Sequence, residues 1–244
     1  MELYGIGVGP GDPELLTIKA VKALQSCPHI FTASSTKNEY SLAFKVAREY
    51  IPSSTPVEAL SFPMTKDPEK LKHAWEKNAQ RVVEVLKSKG KAGFITLGDP
   101  CLFSTFGYLA REVKKIAPQT KIFFVPGITA AQAAASSLNL VLAEGEKGFA
   151  IISGLNTTLL KDLINHPDVS IAVYKVYKNK EEIISVLKDD ERGSQAIAVH
   201  KCGFPEERVF RSLKELDSFS PSYFTLLLVG GSPVEVNTKE EEQK

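Results

Sequence analysis

Short apolar runs recur along this chain, and most of them end at glycine or proline. Leu3 to Val8 is the first, and its pattern is that of a buried strand. Pro28 to Ala33, Val57 to Leu60, Ala92 to Leu97 and Lys121 to Val125 repeat it. Between these runs the apolar spacing becomes helical. Leu16, Ala20, Ala23 and Leu24 form one stripe, with Asp12 predicted as the helix cap and Pro13 as its first residue. The polar stretch Ser34 to Asn38 reads as a loop, and Ser41 to Tyr50 as a helix. A long helix is predicted from Asp67-Pro68-Glu69 to about Ser88, with Leu71, Trp75, Val82 and Leu86 on one face. Helices over Phe106 to Ile116 and Ala130 to Ser137 complete this half. Alternation of strands and helices predicts an α/β fold with largely parallel pairing.

The polar, glycine-rich segment Ala143 to Gly148 lacks periodicity and reads as a linker. It predicts two α/β domains, residues 1–143 and 144–244. In the second, strands are expected over Phe149 to Ser153, Val169 to Tyr174, Ala196 to His200 and Phe224 to Val229. Helices are expected over Thr157 to Asn165, Glu181 to Leu187 and Leu213 to Phe219. The late strands are closely spaced, which predicts a mixed sheet.

Candidate chemistry concentrates where strands break. Gly5-Ile6-Gly7-Val8-Gly9-Pro10-Gly11-Asp12-Pro13 runs out of the first strand, and Leu97-Gly98-Asp99-Pro100 out of the fourth. In open α/β sheets such loops meet at a ligand crevice, although Asp-Pro is also ordinary turn chemistry. A dinucleotide fingerprint fails at Pro10 and at Asp12, where glycine is required, and no acidic residue ends the second strand. No GxxxxGK[ST] motif occurs either, so NAD, NADP and ATP are not expected. His29, His73, His166 and His200 have no metal-ligand spacing, and no nucleophile elbow occurs.

Bulk properties narrow the partners. The 244 residues are 43% hydrophobic and 24% charged, with a net charge of +1, so no global field favours nucleic acid or an anionic membrane. Cys27, Cys101 and Cys202 are odd in number and widely spaced, which points to a reducing compartment, with the cytoplasm as the default location. No apolar run approaches the ~20 residues of a membrane span.

Gly7-Val8-Gly9-Pro10-Gly11-Asp12-Pro13-Glu14-Leu15-Leu16-Thr17, then Gly98-Asp99-Pro100, then Val125-Pro126-Gly127-Ile128-Thr129 together resemble the tetrapyrrole (corrin/porphyrin) methylase family. Phe62-Pro63-Met64, the helix with Trp75, and Ser104-Thr105-Phe106 resemble its branch acting at carbon 20 of precorrin-2 or cobalt-factor II. Lys201-Cys202-Gly203-Phe204-Pro205-Glu206-Glu207 is similar to a late family segment. Ile152-Ser153-Gly154 and Tyr174-Lys175 depart from the pattern.

The resemblance implies a homodimer of two-domain chains with S-adenosylmethionine in the inter-domain cleft. It places the cofactor against Pro10, Gly98, Asp99, Leu102, Thr129, Ala130, Lys175, Ala198 and Thr225. No catalytic side chain is named, and Asp99 is read as a cofactor contact and loop former. The segment from Ser34 to Trp75 is expected to help wall the tetrapyrrole, with Lys37, Lys45, Arg48, Phe62 and Met64 as contacts and Arg111 as a further candidate for its carboxylates. Other activities consistent with these residues are a different regiospecific tetrapyrrole methylase, a diphthine synthase, or a catalytically silent ligand-binding protein.

Overall fold

The computed structural model describes residues 1–34, 41–63, 65 and 67–235. The chain divides into two compact units, Met1–Thr129 and the part from Ala130 onward. The division falls earlier than the linker expected near residue 143, so the small-residue helix groups with the second unit.

The first unit runs β1 (Glu2–Gly7), α1 (Ile18–Ser26), β2 (Ile30–Ser34), α2 (Leu42–Ala47), β3 (Val57–Ser61), α3 (Pro68–Lys89), β4 (Lys91–Thr96), α4 (Phe106–Ile116) and β5 (Lys121–Val125). The sheet order is β3-β2-β4-β1-β5 and every pairing is parallel. Parallel central strands are covered on both faces, which explains why β1, β2 and β4 read as continuous apolar runs. On one face Leu3, Phe31, Leu60, Ala92 and Phe94 pack with Val82 and Leu86 of α3 and with Phe106, Leu109 and Val113 of α4. Full burial of each phenylalanine contributes roughly 1.5–3 kcal/mol. On the other face Ile6 and Ile30 close around Gly93, with Cys27 at the end of α1 beside them.

One predicted helix start is corrected. Asp12 caps only a 3-10 turn over Pro13–Leu15, accepting from the Glu14 amide at 2.8 Å. Leu16 is extended, and α1 starts beyond it under Thr17, whose Oγ1 accepts from the Ala20 amide at 3.1 Å. Two capping residues stand five positions apart, and the apolar stripe belongs to the second. Helix α3, by contrast, opens at Asp67 as read, with Asp67 Oδ1 accepting from the Glu69 and Lys70 amides.

The second unit runs α5 (Ala130–Ser137), β6 (Leu140–Val141), β7 (Gly148–Ser153), α6 (Thr157–Ile164), β8 (Val169–Tyr174), α7 (Lys180–Leu187), α8 (Glu191–Ser194), β9 (Ile197–His200), β10 (Arg208–Phe210), α9 (Leu213–Asp217), β11 (Thr225–Val229) and β12 (Ser232–Pro233). Its main sheet is ordered β10-β9-β11-β8-β7, and only β7 and β8 are parallel. The mixed sheet is as expected. The three-residue β10 and the one-turn α8 carry too little periodicity to be read from sequence.

Candidate functional site

The order β4-β1-β5 makes three strand-to-helix loops neighbours at the carboxyl edge of the first sheet, where open α/β sheets bind ligands. The loops are bonded to one another. The Gly98 amide donates to the Gly9 carbonyl at 2.7 Å and the Gly9 amide returns a bond at 3.4 Å. Gly127 and Gly7 pack so closely that a Cβ on Gly7 would lie 2.6 Å from the Gly98 oxygen and 2.7 Å from the Gly127 nitrogen. Glycine is needed at residue 7 because three backbones share that space.

Asp99 staples the cluster. Its Oδ1 accepts from the Cys101 amide at 2.7 Å and its Oδ2 from the Gly127 amide at 3.0 Å. Both carboxylate oxygens therefore already hold backbone donors, one from its own loop and one from the β5 loop. Thr17 adds a further tie, donating from Oγ1 to the Pro126 carbonyl at 3.2 Å. Helix α4 is anchored to the end of β4 by Ser104, which donates to Thr96 Oγ1 at 3.2 Å and accepts from the Phe106 amide.

Gly98 itself has φ +65°, and a Cβ there would meet only the Ile128 carbonyl, 4.0 Å away. It is a glycine in the left-handed region beside open space, a cradle that any side chain would fill. Pro10 is buried in the adjacent loop, Asp99 and Leu102 are half-buried, and Thr129 closes the β5 loop. The structure thus gathers Pro10, Gly98, Asp99, Leu102 and Thr129 at one sheet edge, and Ala130 begins α5.

In the second unit, the Tyr174 hydroxyl accepts from the Ala131 amide in the first turn of α5 at 3.0 Å. Lys175 follows β8 with φ 59°. The Gly154 amide donates to the Tyr174 carbonyl at 2.6 Å, joining the ends of β7 and β8. Thr225 is buried at the start of β11 opposite His200, and His200 Nδ1 lies 3.0 Å from Thr225 Oγ1. Because β11 is antiparallel to β8, Thr225 lies toward the Lys175 end of the sheet. Ala198 sits inside that edge, its side chain in the core and its backbone between β10 and β11. Burial, with the Lys201 and Arg208 charges adding to it, holds His200 below its ordinary pKa. Burial and the neighbouring Glu207 push Cys202 up to about 12.

The substrate candidates are dispersed. Lys45 lies exposed on α2 and Arg48 in the 3-10 turn that follows it. Phe62 instead packs on the α3 and α4 face, its ring 4.6 Å from Trp75 and 6.2 Å from Phe94. Arg111 lies on α4, over Tyr108. Lys37 and Met64 fall outside the described residues. Among the described residues no group of three or more His, Cys, Asp or Glu is placed to hold a metal ion, and no helix is long and apolar enough to cross a membrane.

The Thr17 tie, the two-ended bonding of Asp99 and the His200–Thr225 pair were missed by sequence reasoning. Thr17 immediately before an apolar-periodic run was a readable cap signal. The other two depend on residues brought together from distant parts of the chain.

A family model for Tetrapyrrole (Corrin/Porphyrin) Methylases matches residues 2–217. The chain belongs to the tetrapyrrole methylase family. Within it, the chain is 36% identical over 211 residues to a probable cobalt-precorrin-2 C(20)-methyltransferase of Methanocaldococcus jannaschii, covering 85% of this chain and 86% of that one. It is 29% identical to a cobalt-precorrin-2 C(20)-methyltransferase of Salmonella typhimurium, over 93% and 95% of the two chains. The fold matches that of a uroporphyrin-III C-methyl transferase of Thermus thermophilus solved in complex with S-adenyl homocysteine. The TM-score is 0.67 and the identity 21%, with 94% and 97% of the chains covered. The glycine loops lie within the matched residues and carry no dinucleotide fingerprint.

Proposed function

We propose that this chain is an S-adenosylmethionine-dependent methyltransferase that methylates carbon 20 of precorrin-2 or cobalt-factor II during corrin-ring construction. The observation that carries the reading is the stapled three-loop cluster with its open cradle at Gly98. Similarity to two relatives named for that reaction supports the choice of carbon. The cofactor supplies a methyl group already activated by its sulfonium charge.

The chain's own contribution is positional. Pro10, Gly98, Asp99, Leu102 and Thr129 form a wall made largely of backbone and small side chains, so a ligand can approach the loops closely. Bonds among the loops hold that wall in one geometry before binding. Fixing donor and carbon nucleophile in line is worth up to ~7–11 kcal/mol of barrier in the best cases. Asp99 serves as the staple rather than as a base, because both its oxygens hold backbone amides. The reading includes a homodimer acting in the cytoplasm; free thiols at Cys27, Cys101 and Cys202 suit a reducing compartment.

Incubation with S-adenosylmethionine and either precorrin-2 or cobalt-factor II tests the reading. Mass spectrometry should show one added methyl, and NMR should place it on carbon 20. Methylation at another carbon would replace the regiochemistry, and no transfer to either ring would overturn the reading. Sedimentation of the purified protein tests the dimer.

A further inference from the structure

We propose that Phe62, Trp75, Tyr108 and Arg111 form a shelf that binds the rim of a flat, carboxylate-bearing macrocycle, Tyr108 meeting its face and Arg111 one of its carboxylates. This rests on the tetrapyrrole methylase reading and locates the acceptor.

The shelf is a continuous ladder of rings leading from core to solvent. Phe94 is fully buried, Phe62 packs edge-on against it, Trp75 lies 4.6 Å from Phe62, and Tyr108 lies 5.4 Å from Trp75. The last ring is open: Tyr108 is 58% exposed. The Arg111 guanidinium lies over it, 4.8 Å from the ring centre. Tyr108 and Arg111 are three residues apart on α4 and so share a face, while Phe106, Leu109, Ala110 and Val113 point into the core.

Arg111 differs from the arginine that the same unit uses structurally. Arg81 is held by Glu58 through Nε at 2.8 Å and by Glu84 at 3.2 Å. Arg111 has no carboxylate partner among the described residues; its neighbour Glu112 is taken by Lys115 at 2.7 Å. A guanidinium stacked on an aromatic ring keeps its planar donor fork free for a carboxylate.

The ladder is also in the right place. Phe62 directly follows β3, and α4 starts just after the β4 loop, so both ends lie toward the carboxyl edge that carries the glycine cluster. β3 and β4 are separated by β2 alone, so their ends are about 10 Å apart. A macrocycle seated at the glycine loops spans that distance. Flat aromatic faces and an unpaired guanidinium complement a planar polyanion.

Trp75 is the sole tryptophan, so its emission reports binding. Uroporphyrin, an octacarboxylate porphyrin, should quench it on titration. Arg111→Gln should weaken uroporphyrin binding about tenfold, which corresponds to ~1.4 kcal/mol, and Tyr108→Ala several-fold. S-adenosylhomocysteine affinity by calorimetry should stay unchanged in both. With precorrin-2, KM should rise by a similar factor while kcat holds. Unchanged uroporphyrin affinity in both variants overturns the shelf. So does a shift from dimer to monomer with affinity intact, which would make Tyr108 a subunit contact. If the wild-type protein transfers no methyl to either precorrin-2 or cobalt-factor II, the functional reading fails instead, and the porphyrin titration still decides the shelf.

Discussion

The two units end their sheets in different ways. In the first, three loops meet through glycines: backbone packs on backbone at Gly7, Gly98 and Gly127, and one carboxylate bonds two of the loops. In the second, Lys175 and Lys201 take left-handed conformations without being glycine, and a buried His200–Thr225 pair joins two antiparallel strands. The first arrangement requires particular residues, because no side chain fits. The second requires a register, and many residues tolerate it at a cost of ~1–2 kcal/mol for each left-handed position. One edge is therefore specified by residue type and the other by strand pairing.

Substitution within the glycine cluster should separate fold from binding most sharply. Gly7→Ala puts a methyl 2.6 Å from the Gly98 oxygen, with backbone on every side and no flexible side chain to yield. Overpacking of this kind costs ~1–3 kcal/mol and occasionally more. Urea unfolding should show a loss at the upper end of that range together with lost S-adenosylhomocysteine binding. Gly98→Leu should behave differently. Its side chain points into open space, so the protein should lose only the left-handed penalty of ~1–2 kcal/mol while calorimetry shows cofactor binding abolished. Equal unfolding losses in the two variants would contradict the distinction between packing glycine and cradle glycine.

Removing the staple should cost less stability than Gly7→Ala and less binding than Gly98→Leu. Asp99→Ala strands the Cys101 and Gly127 amides at a half-exposed site where water can partly replace the carboxylate. A loss of about 2 kcal/mol is expected. S-adenosylhomocysteine affinity should fall about tenfold as the β5 loop loosens. Full retention of affinity would mean the loops hold their geometry through the Gly9–Gly98 bridge and the Thr17–Pro126 bond without the carboxylate.

The smallest effect compares the units by pH. Burial lowers the pKa of His29 in the first unit and of His200 in the second below the ordinary 6.5. The unfolded chain therefore binds more protons than the folded one as pH falls past that value. Stability held above about 6.5 is lost as pH drops toward the folded-state values. Glu58, held low chiefly by its bond to Arg81, adds a loss in the same direction as pH falls through 4.5. Between pH 7 and 5 the urea midpoint should decline, and His29→Asn and His200→Asn should each flatten part of that slope. A midpoint independent of pH in the wild-type protein would refute both assignments.

The sequence alone determined the alternation of elements, the parallel first sheet, the family and the three loops. Buried parallel strands must be apolar, helices must be striped, and loops whose backbones touch must carry glycine, so each leaves its mark in residue type. Only the tertiary structure decided that α1 starts under Thr17 rather than Asp12, since two good caps compete locally and packing of the Ala20–Leu24 stripe chooses between them. It also decided that Asp99 bonds across to Gly127, that Thr225 meets His200, that Lys45 and Arg48 stand apart from Phe62, and that Phe62, Trp75 and Tyr108 align. These pairings join residues up to dozens of positions apart, and no local propensity records which distant partner a side chain will meet.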